Sequence, residues 1–152
     1  MTVKKKVKSM NETQTHRPSI IGFLCTWCSY TGADLAGTAR MKIPAEFKVI
    51  RVMCSGRIDP LFVLKAFLKG ADGVMMMGCH PGDCHYQKGN YNARRRYVTL
   101  NNILETLGLD KDRISLWWVS ASEAPRFKQV TTDFADKIKE LGPNPLREEI
   151  FL

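Results

Sequence analysis

The sequence predicts an α/β protein, a single domain built on a small, mostly parallel four-stranded sheet flanked by helices. Two observations carry that prediction. Short apolar runs alternate with longer stretches of helical periodicity, which is the pattern of repeated right-handed β-α-β units. Three of those runs stop at a cysteine, so three strand ends carry the same chemistry.

The first strand is Ser19 to Leu24, almost continuously apolar as expected of a strand buried on both faces, and it leads into Cys25. The second, Phe47 to Met53, is enriched in β-branched residues and leads into Cys54; the third, Gly73 to Gly78, leads into Cys79. Helical character follows each: Asp34 to Met41, then Pro60 to Lys69 with Asp59 as cap and Pro60 in the first turn, then about Asn92 to Leu107. In the second of these helices Leu61, Leu64, Lys65 and Leu68 recur at three-and-four spacing and are expected to face the core. The third offers Val98, Leu100, Ile103, Leu104 and Leu107 to it. A fourth strand, Ile114 to Val119, and a fourth helix, Ser122 to Leu141, complete the pattern before Gly142-Pro143-Asn144-Pro145.

The chain has 152 residues, enough for one domain with a core of its own. It is 44% hydrophobic and 25% charged, which excludes a disordered chain. No apolar run reaches the ~18 residues of a membrane span, and the basic N-terminus lacks the apolar region of a secretory signal, so a cytoplasmic protein with no membrane contact is expected. A net charge of +8 favours an anionic partner. Part of that charge lies in residues 1–17, expected to be a flexible basic segment, and part in Arg94, Arg95 and Arg96. Residues 18–141 are the expected domain, and residues 142–152 an extended arm, since Pro143 and Pro145 disfavour a continuing helix. Its last residues, Ile150, Phe151 and Leu152, are expected to dock on a partner protein.

In an open parallel sheet, ligands bind beyond the carboxyl ends of the strands. A flavodoxin-like strand order 2-1-3-4 brings Cys25 and Cys28, Cys54, and Cys79 with Cys84 onto adjacent loops ~5 Å apart. In a reducing compartment such a set reads as metal ligands before it reads as disulfides. Thiolates suit zinc or an iron-sulfur cluster, and either needs four of the five. Cys25 to Cys28 has the spacing of a zinc knuckle, so a zinc-stabilised interaction module is the rival reading. Structural zinc serves small domains that lack a core, whereas this chain has one, which favours redox chemistry. A thioredoxin-like dithiol leaves Cys54, Cys79 and Cys84 unexplained, and the Cys-His spacing at 79–85 fits a Rieske centre poorly. His80 and His85 are therefore read as hydrogen-bonding groups around the site and His16 as a surface residue. The amides of Ser55, Gly56, Gly78 and Gly82 are expected to donate to cluster sulfurs, with Trp27 and Tyr86 as shielding or packing rings. A third reading, a nucleic-acid binder using Arg94 to Arg96 with Tyr91 and Tyr97, lacks any recognisable nucleic-acid motif.

Phe-Leu-Cys-Thr-Trp-Cys-Ser-Tyr at 23–30, Arg-Val-Met-Cys-Ser-Gly-Arg-Ile at 51–58, Gly-Cys-His-Pro-Gly-Asp-Cys-His-Tyr at 78–86 and Gly-Asn-Tyr-Asn-Ala-Arg-Arg-Arg at 89–96 together resemble the delta subunit family of methyl-viologen-reducing hydrogenases. The similarity extends over about residues 19–141. The resemblance implies a 2Fe-2S protein, without a substrate site of its own, whose cluster is held by four of Cys25, Cys28, Cys54, Cys79 and Cys84. It also implies partners in the electron transfer of methanogenesis. The donor would be a nickel-iron hydrogenase small subunit, and the acceptor the flavin-containing heterodisulfide reductase subunit.

Overall fold

The structure, a computed structural model, describes residues 16–149. The order along the chain is β1 (Ile20–Cys25), α1 (Ser29–Thr38), β2 (Phe47–Val52), a 3-10 turn (Ser55–Arg57), α2 (Pro60–Leu68), β3 (Gly73–Gly78), α3 (Gly89–Thr106), a second 3-10 turn (Lys111–Arg113), β4 (Ile114–Trp118), α4 (Ala124–Leu141) and the short α5 (Leu146–Glu149). The strands pair in the order β2-β1-β3-β4, as the sequence predicts, and all three pairings are parallel.

Helices on both faces explain why the central strands read as unbroken apolar runs. Side chains alternate across a strand, so Met75 and Met77 of β3 enter one core while Val74 and Met76 enter the other. The first core adds Ile20 and Leu24 of β1, Ala36 of α1, and Phe127, Val130, Phe134 and Ile138 of α4. The second joins Phe23 to Val63 and Phe67 of α2 and to Ala93, Leu100 and Leu104 of α3. Each fully buried Met, Leu or Phe contributes about 1.5–3 kcal/mol, so both cores hold the sheet together independently of the cysteine end. β2 is an edge strand, and most of its residues are exposed.

Several boundaries differ from expectation. α1 begins at Ser29 rather than Asp34, because the buried Ser29 hydroxyl accepts from the Cys25 amide (2.9 Å) and donates to the Met77 carbonyl (3.1 Å), which stitches its start to β1 and β3. In α2 the Asp59 cap and Pro60 are as read, with Asp59 Oδ1 accepting from the Leu61 amide at 2.8 Å. The stripe is not: Leu61 and Leu68 are 68% and 50% exposed, and Val63 and Phe67 form the buried edge with Leu64 beside them. Nearly every residue of this helix is apolar, so its spacing admits more than one stripe, and contact with the sheet selects one. α3 starts at Gly89 rather than Asn92, and Val98 and Leu107 lie outside its buried edge.

Beyond Gly142 the expected extended arm gives way to a fold-back. The Asp72 carboxylate accepts from the Ser19 and Asn144 amides, both at 2.8 Å. The buried Asn144 side chain donates to the Phe67 and Ala71 carbonyls (2.9 and 2.8 Å). Buried Arg113 donates to the carbonyls of Asp72, Gly142, Leu141 and Pro143. These bonds satisfy backbone groups that Pro143 and Pro145 keep out of a helix, and α5 then packs Leu146 on the second core. His16, expected at the surface, lies partly buried with Nε2 3.2 Å from Asp72 Oδ2. Residues 1–15 and the group Ile150 to Leu152, expected to dock on a partner, lie outside the described residues.

Replacing Asn144 with alanine removes the side-chain donor to the Phe67 and Ala71 carbonyls, of which Phe67's still accepts the Gly70 amide, so Asn144→Ala is expected to lower stability by about 1–3 kcal/mol in urea unfolding. The cofactor content of the purified protein should not change, since Asn144 joins the opposite end of the strands from the cysteines.

A candidate metal centre at the carboxyl ends of the strands

Cys25 is the last residue of β1 and Cys79 the first after β3, and these strands are hydrogen-bonded neighbours. Their sulfurs are 3.9 Å apart, and Cys28, reached from Cys25 by one tight turn, brings its sulfur to 2.9 Å from Cys79. Cys25, Cys28 and Cys79 form a group whose sulfurs all lie within 4.8 Å of one another. Cys54, two residues beyond β2, lies 3.8 Å from Cys84 across the site. All five side chains are at most 9% exposed and form one contiguous buried cluster. The structure thus brings together every cysteine that the sequence marks.

The Cys54 side is held by close backbone approach. A Cβ on Gly89 would overlap the Cys54 sulfur and stand 3.2 Å from that of Cys84, while a Cβ on Gly56 would stand 2.8 Å from Gly89 Cα. Only glycine at both positions lets the turn after Cys54 seat against the start of α3. Two side chains of α3 then fix the loops. Arg96 Nη1 donates to the Gly56 and Ile58 carbonyls, and buried Asn90 donates to the carbonyls of Cys79 (3.0 Å) and His80 (2.9 Å). Sequence reasoning assigns neither role. Both residues stand in the segment 89–96, but nothing in it separates Asn90 from Asn92 or Arg96 from its arginine neighbours.

His80 does pair as a hydrogen-bonding group: its Nε2 meets Glu123 Oε2 at 2.6 Å, which ties the Cys79 loop to the start of α4. The Glu123 carboxyl is held below its usual range by the Ser120 amide and then by His80. The His85 ring stacks on Trp27 with centroids 3.9 Å apart, and Trp27 Nε1 donates to the Tyr86 hydroxyl at 3.2 Å. Of the four amides expected to point at sulfur, that of Gly56 does so, 3.4 Å from Cys54.

The thiols are electrostatically unequal. Cys25 is lowered to about 6, first by the hydrogen bond that Cys28 donates to it, with help from the Trp27 and Cys28 amides; Cys28 is correspondingly pushed far up. Burial raises Cys54 to about 11 and also raises Cys79. At Cys84 burial acts upward, but the amides of Asn90, Tyr86 and Gly89 and the Cys54 thiol outweigh it, and the net shift is downward. One ready thiolate, Cys25, in a dry pocket lined by further thiols and amide donors is a donor set suited to a soft metal or an iron-sulfur cluster.

Such a fold and site define an α/β protein whose buried cysteines form a donor set suited to a thiolate-bound metal centre. The pattern described as methyl-viologen-reducing hydrogenase, delta subunit, matches residues 20–142, and the chain belongs to that family. It is 54% identical over 131 residues to the iron-sulfur subunit of the vhc F420-non-reducing hydrogenase of Methanococcus voltae, covering 86% of this chain and 91% of that one. It is 48% identical over 126 residues to the iron-sulfur subunit of an F420-non-reducing hydrogenase of Archaeoglobus profundus, covering 83% and 92%. It is also 43% identical over 138 residues to a subunit of the ferredoxin:CoB-CoM heterodisulfide reductase of Methanosarcina mazei, covering 91% of this chain but 17% of that longer one.

Gly89→Ala is expected to remove most bound iron while leaving the far-ultraviolet circular dichroism unchanged, because the new methyl occupies the space of the Cys54 sulfur. In the cluster-free chain, thiolate absorbance near 240 nm should appear with a midpoint near pH 6 and vanish in Cys25→Ser. A lowered folded-state value means that the Cys25 contribution to stability is full above the ordinary thiol range and is lost as pH falls through about 6. Urea midpoints should therefore fall between about pH 9 and pH 6 in the cluster-free wild type more than in Cys25→Ser.

Proposed function

We propose that this chain is a cytoplasmic electron-transfer protein carrying one 2Fe-2S cluster, which relays single electrons from a nickel-iron hydrogenase to the flavin-containing subunit of heterodisulfide reductase. The observation that carries the proposal is the convergence of five buried cysteines, contributed by three adjacent strand ends, on one site. Four of Cys25, Cys28, Cys54, Cys79 and Cys84 hold the cluster. When bound, the cluster supplies a centre that accepts and releases one electron. The chain excludes water from it, compensates thiolate charge with amides, and holds the loops still through Asn90, Arg96 and the two glycines. The names of the relatives support the iron-sulfur assignment and the pairing with hydrogenase and heterodisulfide reductase. Among the described residues no helix is long and apolar enough to cross a membrane.

A zinc site is disfavoured because both cores close without help from the thiols, leaving no role for a structural staple. Purified protein is expected to be brown, with two irons and two sulfides per chain and the electron paramagnetic resonance of a reduced 2Fe-2S centre; a colourless protein with zinc refutes the proposal. Cys54→Ser and Cys79→Ser should each lose most of the cluster, since both thiols leave rigid strand ends, and full iron and sulfide in both would refute their assignment.

A further inference from the structure

We infer that the surface bearing Trp27, His85 and Tyr86 is the face on which a redox protein with an acidic surface docks, the electron crossing between the two proteins there. This inference rests on the electron-relay reading of the cysteine site.

The three rings form one ordered group on the loops that carry Cys25, Cys28 and Cys84. Trp27 stands between Cys25 and Cys28 in the chain, and His85 and Tyr86 follow Cys84. Trp27 stacks on His85, His85 meets Tyr86 edge-on at 4.9 Å, and Trp27 Nε1 bonds the Tyr86 hydroxyl. Yet Trp27 and Tyr86 remain 46% and 48% exposed, and Met53, next to Cys54, is 57% exposed. Large apolar side chains held in a fixed arrangement and left facing water are what a protein interface covers, aromatic and methionine surface above all. Cys25 ends β1 and Cys79 follows β3, so the loops that bear these rings lie beyond the carboxyl ends of the strands.

Charge identifies the occupant. On the cysteine loops and the first two turns of α3 the exposed cations are Arg57, Lys88, Arg94 and Arg95, while the exposed carboxylate is Asp83. The positive balance of these segments attracts an acidic surface and speeds its arrival. Nucleic acid fits less well. Arg96 is engaged with two carbonyls, and Trp27 and His85 are stacked on each other instead of standing free for bases. In the transfer itself no bond forms or breaks: the reduced centre loses one electron and the partner's oxidised centre gains it.

The test uses the full chain as purified and three probes: ferricyanide as an anionic oxidant, hexaamminecobalt(III) as a cationic one, and poly-L-glutamate as an acidic macromolecule. The reduced protein should be oxidised by ferricyanide at a rate that falls with salt. The Arg94→Glu, Arg95→Glu variant should lose roughly tenfold of that rate and gain with hexaamminecobalt. Poly-L-glutamate should protect Trp27 from acrylamide quenching, Trp27 being isolated as the difference from Trp27→Phe, and should fail to protect it in the charge-reversed variant. Loss of iron in that variant would show disruption of the site, so iron is counted first, and the fluorescence comparison is repeated with Lys88→Glu. A brown protein without protection, or with variants that leave the ferricyanide rate unchanged, overturns the docking face. Protection at lower concentration by an oligothymidylate than by poly-L-glutamate overturns it in favour of nucleic acid. A colourless protein overturns the relay reading, and with it the redox partner, whatever the fluorescence shows.

Discussion

The cysteine end of this molecule depends on the contact of two backbones, the turn at Gly56 and the start of α3 at Gly89. Strand ends in a parallel sheet deliver Cys25 and Cys79 side by side almost automatically, because the hydrogen-bonding of β1 to β3 fixes their spacing. Cys54 is carried to the site by the pairing of β2 with β1 only as far as Val52, and Cys84 lies further out, in the loop after β3. They meet because the turn after Cys54 can press against α3 with no Cβ on either side, and because Arg96 then holds that turn by its carbonyls. Without that approach the site is a triad of Cys25, Cys28 and Cys79 with two thiols adrift.

The remainder of the fold is arranged so that this crowding does not have to stabilise it. Burying several thiols with unequal ionisation in one dry pocket favours folding only weakly, since burial raises Cys54 and Cys79 while a single thiolate is favoured at Cys25. The stabilising weight lies in the two apolar layers under α1 with α4 and under α2 with α3. A polar knot of Asp72, Arg113 and Asn144 closes the opposite end. Among the described residues, the pair of His80 with Glu123 links the cysteine loops to α4.

What could be read from the sequence follows from which interactions leave a local trace. Doubly buried strands leave an unbroken apolar run, and Gly73 to Gly78 was legible to the residue for that reason. Cysteines at strand ends were legible because topology alone carries them to one edge. The facing of α2 was not, since Leu61, Phe62, Val63, Leu64, Phe67 and Leu68 satisfy any apolar template, and the choice belongs to the sheet beneath. Ser29 lies five residues before the expected helix start at Asp34, yet its hydroxyl starts the helix by bonding two strands. Asn90, Arg96 and Asn144 act on backbone carbonyls 10 to 77 residues away, and a carbonyl has no identity in a sequence. The alternating prolines correctly excluded a long helix after Gly142, but an extended arm does not follow when buried donors wait to receive the chain.

The knot at Asp72, Arg113 and Asn144 also bears on how the protein ages. Exposed to oxidants, a cluster of thiols is the perishable part of a chain, and modification there is selective for thiolate character. Here the fastening that closes the polypeptide sits at the far pole from the perishable part. Injury at the cysteines therefore falls outside the contacts that make this knot, and a body that stays folded is poorly presented to proteases that act on opened chains and is something a cell can refurbish instead of discard.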